Sequence, residues 1–221
     1  MAHIVKILDT EKVTHNVIKF TVEKPDNYIF EPGQATTVSI NKDNWKDKKR
    51  PFTFTSLRSD NHLEFIIKIY KDHDGVTKKL GKLKKSDELI VENPWGAINY
   101  KGPGYFIAGG AGITPFIAIF RDLYKNDKLK GNTLFFSSKT EKDIILKDEF
   151  EKMLGNDFIN LITDEKTDKY INQFIDKDFL KKHIDDFSKK FYICGPPKMT
   201  EDITKALEDL GTETDSLVFE N

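Results

Sequence analysis

The chain holds a single cysteine, Cys194, in 221 residues. One thiol excludes an intrachain disulfide framework, a thiolate zinc site and a four-cysteine iron–sulfur cluster. The five histidines (His3, His15, His62, His73 and His183) form no close pair at metal-ligand spacing, so no metal is expected. No apolar run approaches the roughly 20 residues that a spanning helix needs. There is little net charge, −1, which argues against general nucleic-acid binding. Internal repeats and low-complexity stretches are absent as well. Residues 1–10 alternate apolar and polar side chains and read as a strand, not a signal peptide, so a cytoplasmic location is expected.

What is present divides in two. Hydrophobic residues make up 38% of the chain, enough for two cores of about 100 residues each. The first hundred residues are β-rich: Val17–Val22, Gln34–Ile40, Leu63–Tyr70 and Leu89–Val91 are strand-like. Turn signals separate them at Lys24-Pro25-Asp26-Asn27, Glu31-Pro32-Gly33 and Asp72-His73-Asp74-Gly75. Close strand spacing predicts an antiparallel barrel or sandwich. The second half changes period. Apolar strands at Tyr105–Ala108, Thr133–Phe136, Phe158–Ile162, Phe191–Cys194 and Ser216–Phe219 alternate with helical patterns at Thr114–Tyr124, Asp143–Leu154 and Lys198–Leu210. Such alternation predicts a parallel sheet with helices on both faces. The expected domains are 1–101 and 102–221, with the boundary at Lys101-Gly102-Pro103-Gly104. The halves also differ in charge. Residues 42–85 hold 13 basic and 6 acidic residues, a local +7.

Four runs carry chemistry. Arg50-Pro51-Phe52-Thr53 is unremarkable as an apolar strand with an arginine at its start. It gains meaning as a flavin site, because an arginine forks onto a diphosphate, an aromatic ring stacks on an isoalloxazine, and a hydroxyl bonds a ring nitrogen. On a strand, Arg50 and Phe52 share a face. Asp74-Gly75-Val76-Thr77 reads either as a hairpin turn before a surface helix or as an anion site, with Thr77 capping a short helix anchored by Leu80 and Leu83. Gly109-Gly110-Ala111-Gly112-Ile113-Thr114-Pro115 lies between a strand and a helix, the context in which a glycine turn admits a diphosphate. Pro115 suits a first helical turn. Cys194-Gly195-Pro196-Pro197-Lys198-Met199 again joins a strand end to a helix. In an open α/β sheet both runs lie on the rim where ligands bind.

In this order the four runs resemble those of the ferredoxin–NADP⁺ reductase superfamily, across essentially the whole chain. The resemblance implies an N-terminal Greek-key β-barrel holding FAD, followed by a Rossmann-like α/β domain for NADPH or NADH. It assigns Arg50 to the FAD pyrophosphate, with Pro51 in the same motif, Phe52 to the flavin ring in place of the family's tyrosine, and Thr53 to the ring's N5 edge. Gly75, Val76 and Thr77 match the pyrophosphate turn. Lys68 and Tyr70 resemble the flanking strand of cytochrome-b5-reductase-like members. Gly109, Gly110, Gly112, Thr114 and Pro115 match the nucleotide loop, and Ser138 and Lys139 the segment at the adenosine end. Cys194 is placed beside the nicotinamide, with Gly195, Pro196 and Met199 after it. Phe219 and Glu220 resemble a closing aromatic–acid pair. Thr53, Cys194 and Glu220 are thus the expected catalytic residues.

The implied activity is hydride transfer from NAD(P)H to flavin N5, then single-electron transfer to an acidic carrier such as flavodoxin or ferredoxin. The basic patch fits such a partner, and a monomer is expected. Lys139, with no acid before Glu141, leans toward NADPH, whereas Thr140–Ile144 resembles NADH-using relatives. Two alternatives stand beside this reading. One is a reductase for free flavin, ferric chelates or an oxygenase partner. The other is a non-catalytic flavin-binding electron-transfer or redox-sensing subunit.

Overall fold

The computed structural model describes residues 1–72, 74–96 and 98–219. Glu220, Asn221 and His73 therefore lie outside the described residues. The chain forms two compact units: residues 1–97 with Thr114–Asp122, and Ile98–Ile113 with Leu123–Asn221.

In the first unit, β1 (His3–Lys12), β2 (Val17–Glu23), β3 (Ala35–Ile40), β4 (Arg50–Thr53), β5 (His62–Lys68) and β6 (Glu88–Val91) run in the order β4-β3-β6-β1-β2-β5. Every pairing is antiparallel. The sheet curls into the expected barrel, nearly closed. Period-2 alternation sends Val5, Ile7, Phe20, Val22, Val38, Ile40, Leu63, Phe65, Ile67, Leu89 and Val91 into one core. Phe54 fills its centre, stacked on Phe30 at 4.2 Å. A short helix α1 (Val76–Leu80) is held down by buried Val76 and Leu80.

In the second unit, β7 (Gly104–Gly109), β8 (Thr133–Ser138), β9 (Phe158–Ile162), β10 (Lys190–Cys194) and β11 (Leu217–Phe219) form a parallel sheet in the order β11-β10-β7-β8-β9. Helix α2 (Thr114–Lys125) follows β7 in the chain but groups through Asp122 with the first unit, while α3 (Lys147–Leu154), α4 (Lys177–His183) and α5 (Pro197–Asp209) connect the later strands. β7 is buried at every residue, as a central parallel strand should be. The chain runs outward from β7 through β8 to β9, then returns to the other side of β7 as β10. The strand order therefore reverses between β7 and β10, which makes their carboxyl ends the topological switch point. Below it, the Tyr192 hydroxyl accepts a bond from the Lys101 N–H and donates to the Gly102 carbonyl, both at 2.8 Å. Burial pushes the Tyr192 phenol up to about 12. No helix of the described residues is long and apolar enough to cross a membrane.

Candidate functional site

In the barrel, the Arg50–Thr53 run is an edge strand, and there an exposed Pro51 interrupts no ladder that matters. Phe52 pairs with Thr36 and is half-buried against the core; Thr53 pairs with Ala35 and is buried. Arg50 is exposed. Its Nη1 donates to the Lys49 carbonyl at 2.7 Å, and it forms no salt bridge among the described residues. Lys68 ends β5 half-buried, and Tyr70 just beyond it is exposed. The α1 turn departs from expectation in one respect. Gly75 occupies the cap position, in extended conformation, and Thr77 already sits inside the helix without capping it. A residue without a side chain leaves the amide end uncovered. A Cβ at Gly75 would meet nothing within 4 Å, and the first turn of α1 carries no acid. These residues fit an aromatic ligand with a diphosphate: a guanidinium without a carboxylate partner, a half-buried ring, a buried hydroxyl, and open space beside free-standing amide groups.

In the second unit the glycine run does a different job. Gly110 takes φ +54°, a left-handed conformation that turns the chain out of β7. A Cβ on Gly112 would lie 2.2 Å from the Cys194 carbonyl oxygen. One on Gly109 would lie 2.4 Å from the Met199 sulfur and 3.0 Å from Pro196 Cδ. Gly109 and Gly112 thus let the Cys194–Met199 run seat directly on the glycine loop. The two nucleotide motifs interlock at the switch point, with Cys194 buried and its β10 position level with Ala108 of β7. Thr114 and Pro115 open α2, whose first turn has no acid.

The end of β8 forms a polar platform. Ser138 Oγ is buried with no hydrogen-bond partner, an acceptor and donor left for a ligand. The segment after β9 supports it: the Thr163 N–H bonds the Ser138 carbonyl at 3.0 Å, and the Asp164 N–H bonds the Lys139 carbonyl at 2.9 Å. The Thr140 and Asp143 side chains close a reciprocal capping box. Glu141 is held by Lys169 at 2.5 Å and by the Tyr170 hydroxyl at 3.0 Å, and these two keep its carboxyl below the usual range. Lys139 is 75% exposed, with the Asp164 carboxylate 3.9 Å away. Sequence reading missed Asp164, Lys169 and Tyr170. Only strand register brings them to the β8 end, because β9 is its parallel neighbour. Phe219 ends β11 half-buried and, like Met199, packs against the core cluster of the sheet.

Residues 2–104 match the FAD-binding domain family, and residues 106–205 match the oxidoreductase NAD-binding domain family. NADH-cytochrome b5 reductase 1 of Kluyveromyces lactis is 30% identical over 237 residues, covering 94% of this chain and 83% of the relative. The chain belongs to this reductase family. It is accordingly an FAD- and NAD-binding oxidoreductase. NADH-cytochrome b5 reductase 2 of Mycosarcoma maydis is 33% identical over 77% of this chain, which spans 53% of that relative's length. The fold matches a ferredoxin NADP⁺ reductase from Neisseria gonorrhoeae with bound FAD and NADP (TM-score 0.86, 20% identity, covering 100% and 98% of the two chains). It also matches the cytochrome b5 reductase domain of Ulva prolifera nitrate reductase (TM-score 0.85, 22% identity, covering 99% and 97%).

Proposed function

We propose that this chain oxidises NADH and passes the electrons singly to an acidic carrier protein. The observation that carries this reading is the interlock of the Gly109–Pro115 and Cys194–Met199 runs at the switch point of the sheet. FAD, when bound, would supply a two-electron hydride acceptor that can give its electrons up singly. Arg50 and the amide groups around Gly75 to Thr77 would hold its diphosphate, Phe52 would pack on the ring, and Thr53 would offer its hydroxyl to the N5 edge. Gly110, the α2 start at Thr114 and the unpartnered Ser138 hydroxyl would hold the nicotinamide nucleotide. Cys194 would border the reacting carbon, where positioning is the main protein contribution. Glu220 and Lys68 complete the proposed set with Phe219 and Tyr70.

For the nucleotide, a lone Lys139 would attract the 2′-phosphate of NADPH. The structure puts the Asp164 carboxylate beside that lysine. An acid at this edge repels a 2′-phosphate and suits a ribose hydroxyl. This supports NADH, as do the names of the relatives.

For the partner, several lysines of the basic patch are already neutralised: Lys42 by Asp87 at 2.6 Å and Lys49 by Glu92 at 2.5 Å. Lys48 and Lys79 lie over the Trp45 ring, at 4.3 and 5.6 Å, while Lys82, Lys84 and Lys85 are exposed. The remaining positive surface suits an acidic carrier. Cytochrome b5, named in the relatives, is the first acceptor to test, and flavodoxin or ferredoxin the second.

The experiment is anaerobic. NADH should bleach the yellow holoprotein, and a protein that binds FAD yet stays oxidised would defeat the enzymatic reading. Reduction of the acidic carrier should then slow steeply with salt, because the Debye length shrinks to about 8 Å at physiological ionic strength. Changing Lys82, Lys84 and Lys85 together to Gln should remove most of that salt dependence. A flat dependence in wild type would point instead to a small acceptor such as a ferric chelate.

A further inference from the structure

Just beyond the flavin strand lies a buried polar cluster. The Thr55 N–H donates to the Glu64 carbonyl at 2.9 Å, and the Thr55 hydroxyl donates to the Glu64 carboxylate at 2.7 Å. The Glu64 N–H donates to Ser56 Oγ at 3.0 Å. Arg121 completes the cluster: its Nη1 donates to the Thr55 carbonyl at 2.7 Å and to the same Glu64 oxygen at 2.6 Å. Thr55, Ser56 and Glu64 are all buried. Lys19 on β2 is near enough to feel Glu64, but it bonds Glu11 at 2.6 Å. Arg121 comes from the Thr114–Asp122 segment of α2, which groups with the barrel.

A buried ion pair adds little net stability, because desolvation offsets its attraction; neutral groups of similar volume often hold a fold as well. What the pair supplies is a fixed direction. The β4 ladder with β3 ends at Thr53. Beyond it, the strand is held by the Phe54 N–H on the Gln34 carbonyl at 3.0 Å and by the Arg121 cluster. Thr55 spends its N–H, hydroxyl and carbonyl in that cluster, two residues after the hydroxyl assigned to flavin N5.

We propose that Arg121 is a positioning residue of the flavin site: through the Thr55 carbonyl and Glu64 it fixes where the strand end presents Phe52 and Thr53. The inference rests on reading Arg50–Thr53 as the flavin strand. It makes a residue of α2, distant from that strand in sequence, part of the setting of the N5 partner.

The test uses two holoprotein variants, Arg121→Met with Glu64→Gln, and Arg121→Lys. In the first, glutamine still accepts from Thr55 and no unpaired charge is buried. In the second, Glu64 keeps a cation, but the planar fork is lost. Thermal unfolding, visible circular dichroism of the bound flavin, FAD titration of the apoprotein and stopped-flow reduction by saturating NADH are measured together. The double variant should unfold within a few degrees of wild type and show altered flavin dichroism. Its limiting reduction rate should fall about 10- to 100-fold, with a much smaller change in the KM for NADH. Arg121→Lys should show the same changes at smaller size, so it decides the matter if the double variant does not fold. Wild-type dichroism and an unchanged limiting rate in either folded variant would overturn the proposal. If wild type itself is not reduced by NADH or NADPH, the functional reading falls whatever the variants do. If wild type is reduced and the variants match it, only the role of Arg121 falls.

Discussion

Gly75 in the barrel and Gly112 in the parallel sheet both sit in phosphate-type motifs, yet their surroundings are opposite. A Cβ at Gly75 would meet nothing within 4 Å; one at Gly112 would strike the Cys194 carbonyl oxygen at 2.2 Å. The first glycine leaves room for a ligand. The second leaves room for the protein's own backbone, so that a second motif can lock onto the first. The same residue type in the same kind of motif therefore serves binding in one unit and assembly in the other.

The contrast is sharpest for Gly112→Ala. Neither the glycine loop nor the Cys194 carbonyl can give way without moving a strand end, so a stability loss of about 3 kcal/mol or more is expected, at the top of the overpacking range. Urea unfolding of the FAD-free protein measures it, and a loss below about 1 kcal/mol would mean that the interlock is loose. Arg50→Ala should act the other way, sparing stability and weakening FAD about 10- to 100-fold, the loss of one charge-assisted bond of roughly 1.5–3 kcal/mol. Fluorescence titration of the apoprotein decides; retention of FAD at wild-type affinity would remove Arg50 from the site. Asp164→Asn should raise the NADPH-to-NADH ratio of kcat/KM about tenfold, roughly 1.4 kcal/mol, by uncovering Lys139. An unchanged ratio would show that this edge does not read the ribose. The smallest expected effect is on stability in Gly75→Ala. Its φ of −105° suits alanine, so the melting temperature should hold or rise, by up to about 1 kcal/mol of stability, while FAD binding weakens. A large loss of stability there would erase the distinction between the two glycines.

Much of this was legible in the sequence, and the reason is local. Each motif sits at the end of an element with its own signal: an apolar strand before it, a proline or helix pattern after it. Strand limits came within a residue or two, as with Ala35–Ile40 against an expected Gln34–Ile40. The helix expected from Asp143 begins instead at Lys147. Thr140 and Asp143 close a turn of their own, and Leu146, at φ +50°, separates that turn from α3. Helix α4 was not read at all: in Lys177–His183 only Phe179 and Leu180 are buried, too few for a period. Asp164 and Arg121 were invisible for another reason. Their meaning comes from partners on other elements, Lys139 and Glu64, and no spacing along the chain encodes that.

The strand order has a consequence for how the chain is made. β7 ends up in the middle of its sheet, but its β10 neighbour begins at Lys190, some eighty residues after Gly109. At the usual 5–20 residues per second, that is about 4–16 s of synthesis. Over that time β8 and β9 are made and can join β7 on one side, while its other side presents a wholly apolar open edge, the kind of template on which nascent chains aggregate. The pairing of β10 closes that edge and brings Cys194 against Gly112, so in the growing chain the nucleotide rim is completed at the same step that ends its exposure to wrong pairing.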